Sequence, residues 1–284
     1  MTSTTPVVRF GDLLHRKAER LWTIGSYFYH TKRNTSGADI DPWKVFWVDP
    51  ARITHCTVPR FDVNRRTGGV VGGQWDLGEV VKTDQRTRFP FEELVFYRSL
   101  ERHFLNGVDW EETELFRYVL NEDGFEQASR YDSPSEFLKR CEEIDAIYDN
   151  IEANGYRKQI ELLEGDVDDI GGWGADRVWE VPPFRRYREL NEVSVNIGRD
   201  GELLFNSRGH HRLSISKILE VSEIPVRVVV RHRKWQGLRE GLDEALATAD
   251  APVEMAAREH LRDQSRPEEF AAHPDLRAIL ERHR

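Results

Sequence analysis

Val193-Ser194-Val195-Asn196-Ile197 is followed by Gly198-Arg199-Asp200-Gly201 and then by Glu202-Leu203-Leu204-Phe205. Alternation, four turn formers and a second apolar run predict a β-hairpin. Asn206-Ser207-Arg208-Gly209-His210-His211-Arg212 comes next, a charged turn. Leu213, Ile215, Ile218 and Leu219 then predict a buried helix over 213–221, and Ile224-Pro225-Val226-Arg227-Val228-Val229-Val230 predicts a strand that tolerates Pro225 near its first residue. Hairpin, charged turn, helix and strand form one compact unit.

The turn is where chemistry gathers. A chain entering a helix points backbone N–H groups and the positive end of the helix dipole at one spot, which suits a phosphate. Gly209 lets the backbone approach such a group, and Arg212 is a forked, permanently charged donor. His210 and His211 add groups that donate or accept near neutral pH. The competing reading is a His-His-Arg run solvated at a helix start. Metal ligation by this pair alone is disfavoured, because adjacent helical side chains point about 100° apart.

Upstream, Ser133-Pro134-Ser135-Glu136 signals a helix start, Phe137, Cys141, Ile144, Tyr148 and Ile151 share a face, and Asn154-Gly155 ends it. Cys141 on that face reads as a core residue. Residues 91–104 and 110–120 predict two further helices, with Pro90 before the first. Residues 60–79 form a Gly-rich loop with Arg60, Arg65 and Arg66 at one end and Gly72-Gly73-Gln74-Trp75-Asp76 toward the other, without the Gly-Lys-Ser/Thr ending of a P-loop. Trp75 plugging a core, and Asp76 capping a turn, is the plain alternative to a site there. Short strands are expected at 43–48 and 53–58, separated by Asp49-Pro50. Residues 10–28 repeat apolar positions at helical spacing, giving an amphipathic helix that packs on the rest of the chain in preference to a membrane surface. Helices are expected at 238–247 and 274–284.

The chain has 284 residues, 39% hydrophobic and 32% charged, with mean hydropathy -0.63. That composition predicts a soluble, cytoplasmic globular protein with no spanning segment and no signal peptide. A net charge of -9 disfavours bulk nucleic-acid binding. Two cysteines, Cys56 and Cys141, exclude a disulfide framework and a Cys-built zinc site.

The stretch 194–231, with its hairpin, Gly209-His210-His211-Arg212 turn, apolar helix and Ile224-Pro225-Val226 strand, resembles the core of the ParB/sulfiredoxin superfamily, whose strand ends in Asp-Gly, a variable residue, His or Arg, and Arg. Residues 43–53, with Asp49-Pro50, resemble that superfamily's opening strand more weakly. The resemblance implies an α+β fold, a small mixed sheet of ParB/sulfiredoxin type with an all-helical insertion and an N-terminal amphipathic helix. The division is then an N-terminal helix and loop at 1–40, a first part of the core at 41–82, the insertion at 83–174, the core with its turn at 175–236 and a helical appendage at 237–284.

Members of the superfamily bind nucleotides at this turn. They include CTP-dependent DNA-segregation clamps, ATP-dependent sulfinic-acid reductases, free-amino-acid kinases and nucleases. His210 stands where the reductases need cysteine, and no helix-turn-helix follows Trp235, so the kinase-like branch is nearest. The resemblance implies that Arg208, Gly209, His210, His211 and Arg212 bind the phosphates of ATP or ADP, less readily CTP, with Mg2+ assisting. Arg208 departs from the pattern, standing where an acidic residue is expected. A phosphotransferase acting on a small hydroxyl compound also needs a carboxylate. Asp76 and Glu79 are the candidates, with His211 completing the catalytic set. The alternatives are a noncatalytic nucleotide-responsive binding protein, or a nuclease, which the acidic charge disfavours. The expected partners are a small molecule and, through the insertion, another protein, with no membrane.

Overall fold

The computed structural model describes residues 44–61, 69–80, 85–120, 133–159, 161, 192–264 and 266–284. The amphipathic helix expected at 10–28 lies outside them.

The fold is mixed α and β, organised on strand β9, Ile224–His232. Its run of β-branched residues is buried at every position, as expected for a strand covered on both faces. Nine residues are enough to pair with two strands on one side: β1 (Val45–Val48) runs antiparallel to its first half, and β3 (Gly69–Val71) runs parallel to its second. On the other side lies β7 (Val193–Ile197), parallel, then β8 (Leu203–Phe205), β2 (His55–Thr57) and the edge strand β6 (Arg88–Pro90). These make one mixed seven-stranded sheet, larger than the small sheet expected. A separate two-stranded ribbon joins β4 (Glu79–Val80) to β5 (Gln85–Arg86).

One irregularity organises the interior. Val195 pairs with Val228 but Asn196 pairs with Val230, so Val229 is an extra residue on β9. Val226 and Val228 face the main core with Val193, Val195 and Ile197, whereas Val229 and Val230 both join a smaller cluster with Phe61, Trp75 and Leu204 on the opposite face. After the bulge the alternation is reset, and Arg231 turns back toward the helices of the main core, where it meets Asp275.

The region expected to be an all-helical insertion opens instead with β5 and β6, and β6 extends the sheet. Among the described residues its helices are α1 (Val95–Asn106), ended by Gly107 at φ 66°, α2 (Glu114–Leu120) and α3 (Pro134–Asn154). Ser133 caps α3 by accepting from the Glu136 N–H, with Pro134 in the first turn. Phe137, Cys141, Ile144 and Ile151 form its buried face. Burial pushes the Cys141 thiol up to about 12, so it is an inert core residue.

Helix α4 (His210–Ile218) follows β8, and α5 (Arg233–Thr248) follows β9 directly, His232 accepting from the Lys234 N–H as its cap. α6 (Val253–Leu261), α7 (Pro267–Ala271) and α8 (Pro274–His283) complete the chain. Among the described residues no helix is long and apolar enough to cross a membrane.

Candidate functional site

Gly209 precedes α4 in the left-handed conformation, φ 80° and ψ 23°, and as a glycine it brings no side chain to cap that helix. The preceding residues are tied to the start of β7. Ser194 Oγ accepts from the Arg208 N–H at 2.8 Å and the Ser207 N–H at 3.3 Å, and the Ser194 N–H donates to the Arg208 carbonyl at 3.1 Å. Gly209 itself is pressed so close that a Cβ there would lie 2.9 Å from Val193 Cα. Three further neighbours of the turn come from the insertion: Phe96 on α1 meets His210 and His211 edge-on, with ring centroids 4.7 and 4.3 Å away, Arg140 stands on α3 paired with Glu143, and Tyr156 follows that helix.

The five turn residues are thus contiguous at one end of β7, but they are not equivalent. His211 is buried, and burial, His210, Arg140 and Arg212 together hold its pKa well below the usual histidine value. It is a neutral imidazole, with one N–H to donate and one ring nitrogen to accept, but it carries no charge for a phosphate. Arg212 is partly exposed and already engaged, its Nη1 donating to Tyr156 Oη at 2.9 Å and to Glu192 Oε2 at 3.3 Å. Glu192 has only 1% of its side chain exposed, and its other oxygen accepts from the Gln159 N–H at 2.7 Å. Burial raises the Glu192 carboxyl and Arg212 pulls it back, leaving it at about 7.

Glu192 and Tyr156 are the site residues the sequence reading missed. Glu192 sits one residue before a strand and carries no motif. Its meaning comes from Tyr156, 36 residues earlier, and Arg212, 20 residues later.

Asp76 is not at this turn. It lies against the tip of the β7–β8 hairpin, with Oδ2 accepting from the Arg199 N–H at 2.7 Å and Oδ1 from Arg199 Nη2 at 2.7 Å. The length of β7, about 13 Å at ~3.3 Å per residue, separates the two places. Burial alone would raise the Asp76 carboxyl, but the Arg199 hydrogen bonds, with His232 nearby, hold it below its ordinary value. It is an ionised, fully committed carboxylate that anchors the Gly-rich segment to the hairpin. Trp75 beside it is buried edge-on to Phe61 and donates to the Val71 carbonyl. The Glu79 side chain lies outside the described residues, as do Arg65 and Arg66. Asp76→Asn should cost about 2 kcal/mol in denaturant unfolding, through weakened charged hydrogen bonds, and leave ligand binding at the distant turn unchanged. A loss of binding in a variant of wild-type stability would return Asp76 to the site.

A cleft of about 260 Å³ lies elsewhere, between the hairpin tip and α7, with Arg52, Asp200, Glu202, Arg266, Glu269 and His273 on its walls. Its mixed charges select no ligand class. Among the described residues, no three His, Cys, Asp or Glu side chains gather where they could hold a metal. Comparison with known proteins adds no relative: no family model, no curated protein and no solved structure matches the chain.

Proposed function

We propose that the chain is a nucleotide-binding protein of ParB/sulfiredoxin type that takes the nucleotide's phosphates at Gly209, His210 and Arg212. What carries this reading is the convergence at one helix start of a left-handed glycine, which brings no side chain to the first turn, and the Arg212 guanidinium. The N-terminal end of α4 and the Arg212 guanidinium both favour an anion. Arg208 contributes its backbone, pinned by Ser194, and His211 supports the turn as a neutral group.

Binding without catalysis is the version the arrangement favours, because Asp76 is committed to Arg199 at the far end of β7. Phosphoryl transfer from ATP or ADP to a small hydroxyl compound is the second reading, and one observation favours it: Glu192 stands beside the turn with a carboxyl poised near neutrality, where a general base works best. Magnesium does not fit a protein-held site here. The carboxylate next to the turn is already taken by Arg212, so the ion would come coordinated by the nucleotide's own phosphates.

Calorimetric titration with ATP, ADP, CTP and GTP tests the reading. Saturable binding is expected, weakened at least tenfold by Arg212→Ala, since a charge-assisted guanidinium–phosphate contact is worth about 1.5–3 kcal/mol. Arg212→Lys should fall between, keeping the charge but losing the fork. If no nucleotide binds at millimolar concentration, or if Arg212→Ala binds like the wild type, the turn is not a nucleotide site. Turnover of ATP only when a hydroxyl acceptor is added would select the second version.

A further inference from the structure

Arg212 is the cation on which the nucleotide reading leans, yet the fold gives it a carboxylate of its own. We propose that Glu192 is an internal competitor for the anion site, holding the Arg212 guanidinium until it is protonated, so that anion binding takes up a proton. The proposal rests on the nucleotide-site reading and specifies how that site is regulated.

The structure shows the first state, and the second follows from it. In the first, Glu192 Oε2 is 3.3 Å from Arg212 Nη1, Tyr156 Oη bridges them with contacts of 3.3 Å to Glu192 and 2.9 Å to Arg212, and the Gln159 N–H donates to Glu192 Oε1. An incoming dianion competes for the same guanidinium and places a like charge next to a buried carboxylate, which is costly. Protonation of Glu192 removes that repulsion and leaves a neutral acid still hydrogen-bonded to Tyr156 and the Gln159 N–H. Tyr156 does not titrate in its place, because burial drives its hydroxyl far above the usual phenol range. Among the described residues, the charged and titratable groups facing Glu192 are Arg212 from α4 and Tyr156 and Lys158 from the segment after α3. The carboxyl's position near neutrality places the transition where cells operate.

His210 on the same turn would also strengthen anion binding when protonated, so the test separates the two groups. Sulfate is the probe, because it stays a dianion from pH 6 to 8. Binding to the full chain is measured by calorimetry at pH 6, 7 and 8, in two buffers of different ionisation enthalpy, for the wild type, Glu192→Gln and His210→Gln. The wild type should bind about tenfold more tightly at pH 6 than at pH 8, with proton uptake seen as a buffer-dependent heat. Glu192→Gln should bind at pH 8 as the wild type does at pH 6, with little pH dependence, while His210→Gln keeps the slope. If Glu192→Gln does not fold, the slope and proton uptake in His210→Gln carry the test. A flat wild-type profile, or a slope lost in His210→Gln, overturns the competitor and leaves the anion site standing. Absence of sulfate binding at every pH removes the anion site itself, and the competitor with it.

Discussion

Asp275→Ala should lower the stability of the chain by about 4 kcal/mol, the cost of breaking a buried ion pair from one side. Asp275 is buried at the start of α8 and receives Arg231 Nε at 2.9 Å, Arg231 Nη2 at 2.8 Å and the Trp235 indole N–H at 2.9 Å, with Arg239 Nε at 3.2 Å. Its removal leaves two buried guanidiniums with no carboxylate between them. Burial by itself would raise this carboxyl, but Arg231 and Arg239 overcome it and hold the pKa far below the ordinary range. The sign of the pH effect follows. The pair's contribution is fully present above about pH 4, the unfolded carboxylate's value, and is lost as the pH falls toward the folded one. Urea unfolding of the wild type should therefore show a drop in stability below about pH 4, and the variant a smaller one. A triple replacement, Arg231→Met, Arg239→Met and Asp275→Leu, should recover most of the loss, because removing all the charges also removes their desolvation cost. A single variant that unfolds like the wild type would show that α8 docks through its apolar face alone, by Leu276, Ile279 and Leu280.

That network was outside the reach of sequence reasoning for a specific reason. Arg231 belongs to a strand whose alternation would have put it on the other face, and only the extra residue Val229 turns it toward Asp275. Local signals, by contrast, were legible. The hairpin stands at Val193–Ile197 and Leu203–Phe205, and Ser133 and Gly155 bound α3 as their residue types require. The Gly-rich run concealed β3, which is a strand only because β9 is long enough to pair with Gly69–Val71 beyond the end of β1. Helices α6 and α7 were also missed, lying in mixed, charged sequence whose apolar faces gain meaning from α5 and α8. For the site, the turn was visible as composition. Which carboxylate stands beside it was not, because Asp76 and Glu192 are told apart only by the end of β7 that each approaches.

Gly209 carries the second large effect, and two physical causes compete to produce it. With φ at 80°, any L side chain pays for the left-handed backbone, about 1–2 kcal/mol, and asparagine pays less than alanine. The other cause is contact: a Cβ would lie 2.9 Å from both Val193 Cα and Val193 Cγ2, and a main-chain atom in a central strand cannot move aside as the end of a flexible side chain can. Overpacking of this kind costs about 1–3 kcal/mol more. Gly209→Ala should therefore destabilise the chain by about 3 kcal/mol, and Gly209→Asn should recover little of it, because asparagine relieves the torsion but keeps the Cβ. Recovery of most of the stability by asparagine would mean that torsion, not contact with β7, is the reason for glycine. Binding separates the same two causes. A Cβ that pushes α4 off Val193 also moves Arg212 away from Glu192 and shifts the N–H groups that face the anion, so both variants should lose nucleotide affinity at a temperature where they remain folded. Equal affinity in the wild type and Gly209→Ala would place the phosphate somewhere other than the start of α4.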